Sequence, residues 1–165
     1  MTDQLILRMA EAELASELLI AISDGVHSKK SSESFYKRYD PSFPNGWVLS
    51  GRFRKTMDTI GEIFGDMLGR SSFRRVHMFY TLFCSIYHCL FGIPGAGWPR
   101  KSLKKQDYAK VCHALEAVDE IFEKEEEERS VQERRFLTAA RRATTDASVR
   151  DFRSRYVCEL IVRAI

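Results

Sequence analysis

At 165 residues, 44% apolar and 30% charged, the chain is long enough to bury a core and too apolar to be intrinsically disordered. No apolar run reaches the roughly 18 residues needed to span a bilayer; Leu18 to Ile22 is short, and Met78 to Leu90 is interrupted by His and Ser. The net charge of +3 is segregated: residues 1–25 carry −4, 26–110 carry +9, 111–128 carry −7 and 129–165 carry +5.

The spacing of apolar residues predicts an all-α fold, a single domain of about six or seven helices. Leu5, Met9, Ala12, Leu14, Leu18, Leu19 and Ile22 line one face of a first helix over 3–24, and Gly25 stops it. Ser31 or Ser32 caps a short helix over 31–39, which carries Phe35, Tyr36 and Tyr39. Asp40 to Gly46 has turn chemistry. A third helix, 48–68, points Phe53, Met57, Ile60, Phe64 and Met67/Leu68 inward, and its Gly51, Gly61 and Gly65 suit the close approach of a neighbouring helix. Ser71 or Ser72 caps a fourth, 72–91, with Phe73, Val76, Phe79, Tyr80, Phe83, Tyr87 and Leu90 on so many sides that it should be central.

Gly92 to Pro99 is a loop. A fifth helix, 102–124, uses Tyr108, Val111, Leu115, Val118 and Phe122, then runs into the acidic stretch Glu123 to Glu128. A sixth, 129–142, carries Val131, Phe136, Leu137 and Ala140. Thr144-Thr145-Asp146 caps a seventh, 147–164, with Val149, Phe152, Tyr156, Leu160 and Ile161 inward.

The acidic N-terminus lacks the basic start of a secretory signal, so a cytoplasmic location is expected. The cysteines Cys84, Cys89, Cys112 and Cys158 form no C-x-x-C pair and read as buried thiols. Cys84 and His88, four apart, could face one metal ion with Cys112/His113 as a second pair, but core packing accounts for them better. The carboxylates of 123–128 sit on a solvated face, where nothing tunes them for acid–base work. Gly92 to Gly97 lacks phosphate-loop spacing, and no G-x-S-x-G elbow is present. We therefore expect no catalytic residue, no cofactor and no resident metal.

Basic residues gather at helix ends, several at N-termini where they oppose the helix dipole. Arg70, Arg74, Arg75, Arg141, Arg142, Arg150, Arg153 and Arg155 are the candidate contacts to nucleic acid or an acidic partner. The alternative is that they pair with the chain's own acidic stretches.

Five segments, in order, carry a family resemblance. They are Arg8 to Leu19 followed by Gly25 and Lys29-Lys30; Phe35 to Asp40; Arg52-Phe53 through Ile60, Ile63 and Phe64; Ser72-Phe73 with Phe79 to Phe83; and Ala143 to Asp146 followed by Arg150, Arg153 and Arg155. Together they resemble the helical C-terminal half of proteins with a ParB-like nuclease domain, the family that includes the GmrSD-type restriction endonucleases. That resemblance implies prokaryotic defence against foreign DNA. It also implies a partner: an N-terminal ParB-like half that binds or hydrolyses nucleotide, marked by an Asp-Gly-Gln-Gln-Arg motif. Here the only Asp-Gly is Asp24-Gly25, followed by Val26-His27-Ser28, so no catalytic residue carries over. The expected function is a non-catalytic module that binds a catalytic half and touches DNA. A stand-alone nucleotide-binding or nucleotide-hydrolysing enzyme would need a pocket joining Tyr, His and Arg from the third to fifth helices. A purely structural oligomerisation module would need an exposed apolar face.

Overall fold

A computed structural model describes residues 3–39, 42–43 and 45–165, with side chains described from residue 10 onward. The side chains of the expected inward positions Leu5 and Met9, and residues Asp40, Pro41 and Pro44 of the predicted loop, lie outside what is described. Among those described there are seven α-helices and no strand: α1 (Asp3–Asp24), α2 (Ser32–Tyr39), α3 (Gly46–Phe64), α4 (Val76–Leu90), α5 (Tyr108–Glu123), α6 (Val131–Arg141) and α7 (Ala147–Ala164).

Three helices differ in extent from the periodicity reading. α3 stops at Phe64 because Gly65 takes φ +50°, and 65–70 continues as 3-10 turns. α4 begins at Val76, since Ser71 accepts the Phe73 N–H at 3.2 Å and closes a separate 3-10 turn over Ser72–Arg74. α5 begins at Tyr108, after a turn in which Asp107 accepts the Lys104 N–H at 3.1 Å.

α4 is the centre of the bundle. Met78 and every residue from Tyr80 to Cys89 are buried, and α7, α3 and α1 pack around it. An element apolar on all sides has no alternative to the interior. α1 ends where expected, and there Gly25 is required: at φ +98° an added Cβ would lie 2.8 Å from the Pro94 carbonyl oxygen. The same reasoning fails for α3, where nothing stands within 4 Å of a Cβ at Gly51, Gly61 or Gly65. The neighbouring helix predicted there is not supplied by the described part of this chain.

Two inward faces are rotated from expectation. In α3, Met57 is exposed while Thr56 and Thr59 are buried, their hydroxyls donating to the carbonyls four residues back at 2.9 and 2.8 Å. A threonine satisfied in this way packs as a small apolar residue. In α7, Arg150, Arg153, Ser154, Val157, Cys158 and Ile161 are the buried residues. Val149, Phe152, Tyr156 and Leu160 are only half-buried. That is a turn of one residue, about 100°. Phe152 and Tyr156 serve α6 instead: Arg135 lies 4.2 Å over the Phe152 ring, and Tyr156 stacks on Phe136.

The face of α7 toward α4 is a polar seam. Ser85 donates to Thr81 O at 2.8 Å and lies 3.0 Å from Ser154 O, and the Cys158 thiol points to Ser85 O at 3.7 Å. Burial pushes the Cys84 thiol up to about 12. Cys158 is also raised, by its contact with Cys89 and by burial, so neither is a thiolate at neutral pH.

The loop after α4 is pinned by His88. Its Nδ1 accepts the Ile93 N–H at 3.1 Å while Nε2 faces the Trp98 carbonyl at 3.3 Å, so the Nε2–H tautomer satisfies both. The Trp98 indole in turn donates to Asp151 at 2.8 Å, tying the loop to α7. Burial, helped by Arg100, lowers the His88 pKa against the opposing bond to Trp98, and burial lowers that of His77 as well. Below the ordinary value of about 6.5 the unfolded chain therefore takes up protons that these two rings refuse in the fold. Stability from them is complete above that pH and is lost as pH falls. Thermal melts followed by Trp fluorescence should give a midpoint that is level above pH 7 and declines from about 6.5 downward. A level profile down to pH 5.5 would contradict this account of His88.

Candidate functional site

A basic surface is built on α6. Its N-terminus carries a full capping box: the Ser130 hydroxyl accepts the Glu133 N–H at 3.2 Å and the Glu133 carboxylate accepts the Ser130 N–H at 2.7 Å. Lys124 donates to the same carboxylate at 2.7 Å. These partners, Lys124 first, hold Glu133 down at about 2. With Phe136, Leu137 and Ala140 buried, α6 turns Arg134, Arg135, Thr138, Arg141 and Arg142 outward.

Beside this outer face lies a cleft of about 330 Å³, lined by Glu126, Arg129, Arg134, Leu137, Thr138, Arg141 and Arg142. Arg129 is folded onto the end of α5, donating to Ile121 O at 2.8 Å and to Lys124 O. Among the described residues no carboxylate comes within 4.0 Å of Arg134, Arg141 or Arg142. The cleft thus holds four guanidinium groups against one carboxylate.

The eight candidate arginines divide. Arg70, Arg74, Arg75, Arg141, Arg142 and Arg155 are exposed. Arg75 lies 4.7 Å over the Phe122 ring, and Arg155 donates to Gly97 O at 2.9 Å. Arg150 and Arg153 are not surface residues, being 5% and 0% exposed. Arg150 pairs with Glu17, donates to His27 O at 3.2 Å and lies 4.3 Å over the Tyr80 ring. Arg153 donates to the Thr81 hydroxyl at 3.1 Å, Ala139 O at 2.8 Å, Thr144 O at 2.9 Å and His77 O at 3.4 Å. The expectation of an exposed basic surface over 150–155 is corrected: these two guanidinium groups are consumed inside the fold.

Arg153 holds carbonyls of both the first turn of α4 and the last turn of α6, and so ties those two helix ends together. Arg155 stands on the other side of α6. It borders a second groove of about 550 Å³ together with Gln132, Arg135, Asp151, Phe152 and Tyr156.

The chain matches no family model, no curated protein and no solved structure.

Arg134, which sequence reading passed over, was detectable: Arg134, Thr138 and Arg141 fall at i, i+4 and i+7 and must share a face; Arg129, also passed over, lies outside that helix and follows no such spacing. The Ser130-x-x-Glu133 box was equally readable. The predicted cap at Thr144-Thr145-Asp146 works differently. No side chain there caps α7; instead Thr144 O accepts Arg153, and Thr145 O accepts the Lys29 N–H at 3.1 Å.

Among the described residues no cluster of three His, Cys, Asp or Glu could hold a metal ion, and both His88 nitrogens are engaged, which leaves Cys84 without its proposed co-ligand. The α3–α5 groove gathers Tyr108 and His113 but no arginine. Its charged groups are paired, Lys105 with Glu62 and His113 with Glu116, both at 2.8 Å. No helix is long and apolar enough to cross a membrane, among the described residues.

Proposed function

We propose that the chain is a non-catalytic helical module of a ParB-like, GmrSD-type prokaryotic defence protein, acting in the cytoplasm, where it binds a separate catalytic half and contacts DNA. The observation that carries the DNA contact is the α6 cleft, in which Arg134, Arg141 and Arg142 are exposed without a carboxylate partner. Cations left unpaired on a surface attract an external polyanion, since nothing inside the molecule neutralises them. The partner half rests on the resemblance, with support from α3, where Trp47 is 83% exposed and a Cβ at Gly51 or Gly61 would meet nothing within 4 Å.

Affinity capture of the tagged chain from native lysate, followed by mass spectrometry, tests the assembly. A protein bearing the Asp-Gly-Gln-Gln-Arg motif is expected in the eluate at near-equal amounts. Recovery of the chain alone and full length would reject the split-protein reading.

A further inference from the structure

We propose that the α6 cleft grips the sugar-phosphate backbone of duplex DNA without reading its bases, and that Glu126 weakens that grip. This rests on the DNA contact proposed above and goes beyond it by assigning the contact to one site, one mode and one opposing group.

The spacing is the first argument. Arg134 and Arg141 are seven residues apart on one helix face, about 10 Å along the axis. Successive phosphates on one strand advance by about 3.4 Å along the duplex axis but lie further apart through space because the strand winds about that axis, so the two positions can each reach a separate phosphate. Arg142 adjoins the second position, and Arg129 also lines the cleft. Arg129 is already held by two carbonyls, which fixes its place. Arg134, Arg141 and Arg142 keep free forks, the geometry suited to two-pronged hydrogen bonding of phosphate oxygens.

The composition of the lining is the second argument. It contains no aromatic ring on which an unpaired base could stack, which single-strand binders need. It has no Asn or Gln to pair with an adenine edge. The one hydroxyl, of Thr138, donates to Arg134 O at 2.9 Å. The one apolar group, Leu137, is buried, so the cleft has no pocket for the apolar anchor that dominates most protein–protein contacts. What remains is cationic; an arginine fork can also take guanine O6 and N7, a mode that equal affinity for duplexes of unrelated sequence excludes.

Glu126 is the third. It lines the cleft but pairs with none of its arginines within 4.0 Å. A carboxylate there repels phosphate, while Glu125, Glu127 and Glu128 flank it in exposed positions. Removing that single charge should therefore strengthen binding, a direction that loss of structure does not mimic.

The test is titration of a labelled 20-base-pair duplex of arbitrary sequence with the full chain, from about 50 to 200 mM salt, for the unaltered chain, R134Q/R141Q, E126Q and, as a reference outside the cleft, R54Q. Losing two phosphate contacts should flatten the slope of log affinity against log salt by about 2 and weaken binding about tenfold or more at the lowest salt. E126Q should tighten binding several-fold with an unchanged melting curve, and a second duplex of unrelated sequence should bind equally. If the unaltered chain binds and R134Q/R141Q leaves the slope unchanged, the cleft assignment is overturned while DNA contact elsewhere stands. Weaker binding by E126Q overturns the role of Glu126. Absence of any binding at the lowest salt rejects both the cleft and the DNA half of the proposed function, and capture of the catalytic partner is judged separately.

Discussion

Replacing Arg150 by alanine is expected to lower folding stability by about 3–5 kcal/mol, because it leaves the Glu17 carboxylate buried without its counter-charge. The two side chains are 6% and 11% exposed, so solvent screening that makes most ion pairs weak does not apply. Lys29 stands 3.7 Å from Glu17 but is itself nearly half exposed, and it recovers only a fraction of the loss. Arg150 also covers the Tyr80 ring and holds the His27 carbonyl beyond the end of α1, so one truncation disturbs α1, α4 and α7 together. The double substitution Glu17→Gln with Arg150→Met separates charge from packing. With neither partner ionised, it should be more stable than Arg150→Ala alone, measured by urea unfolding. A loss below about 1 kcal/mol for Arg150→Ala would show that water reaches Glu17 and that the pair is not structural.

Why the two arginines were misread is a question of helical register. A charged side chain on a helix is usually solvated, and α7 offered an alternative apolar stripe in Val149, Phe152, Tyr156 and Leu160. Within that stripe Phe152 and Tyr156 face α6. The residues turned to α4 recur at 150, 153, 154, 157, 158 and 161, which is an equally regular helical face with polar residues in its first turns. Periodicity measures where apolar residues repeat and is silent on a buried face satisfied by hydrogen bonds. α4 shows the opposite case: its apolarity on all sides left only the interior, and its central place was legible. Gly25 was legible as a helix stop. Its tight fit under the Pro94 carbonyl was not, because that contact joins segments about 70 residues apart.

The candidate site was half legible for a related reason. Arg141 and Arg142 stand out in the sequence, whereas Arg129 belongs to the cleft only because it bends back on Ile121 and Lys124. The joining of the start of α4 to the end of α6 is a tertiary event. No local pattern encodes it, since it depends on a guanidinium from a third helix reaching two helix ends.

Arg153→Met should show how far that joining depends on one side chain. The residue has no carboxylate partner; its charge is dispersed over one hydroxyl and three carbonyls. Burial and the neighbouring Arg150 lower its pKa to about 10, so the group remains a cation at neutral pH. Methionine fills similar volume and removes the cost of burying charge. It also leaves the Ala139 and Thr144 carbonyls without a donor, at about 1–3 kcal/mol for each that water cannot reach, while the His77 carbonyl keeps the Thr81 hydroxyl at 3.0 Å. The carbonyl losses outweigh the relief, and a net decrease of about 3 kcal/mol is expected. Lysine retains the charge, but one ammonium group cannot reproduce a planar fork that reaches three elements, so Arg153→Lys should recover little. Hydrogen exchange carries the more specific reading. Amides at the end of α6 and the start of α4 should lose protection together in Arg153→Met while the middle of α5 keeps its own, since Arg153 touches both of the former and not the latter. Uniform loss of protection across all helices would instead mean that Arg153 merely supports the core.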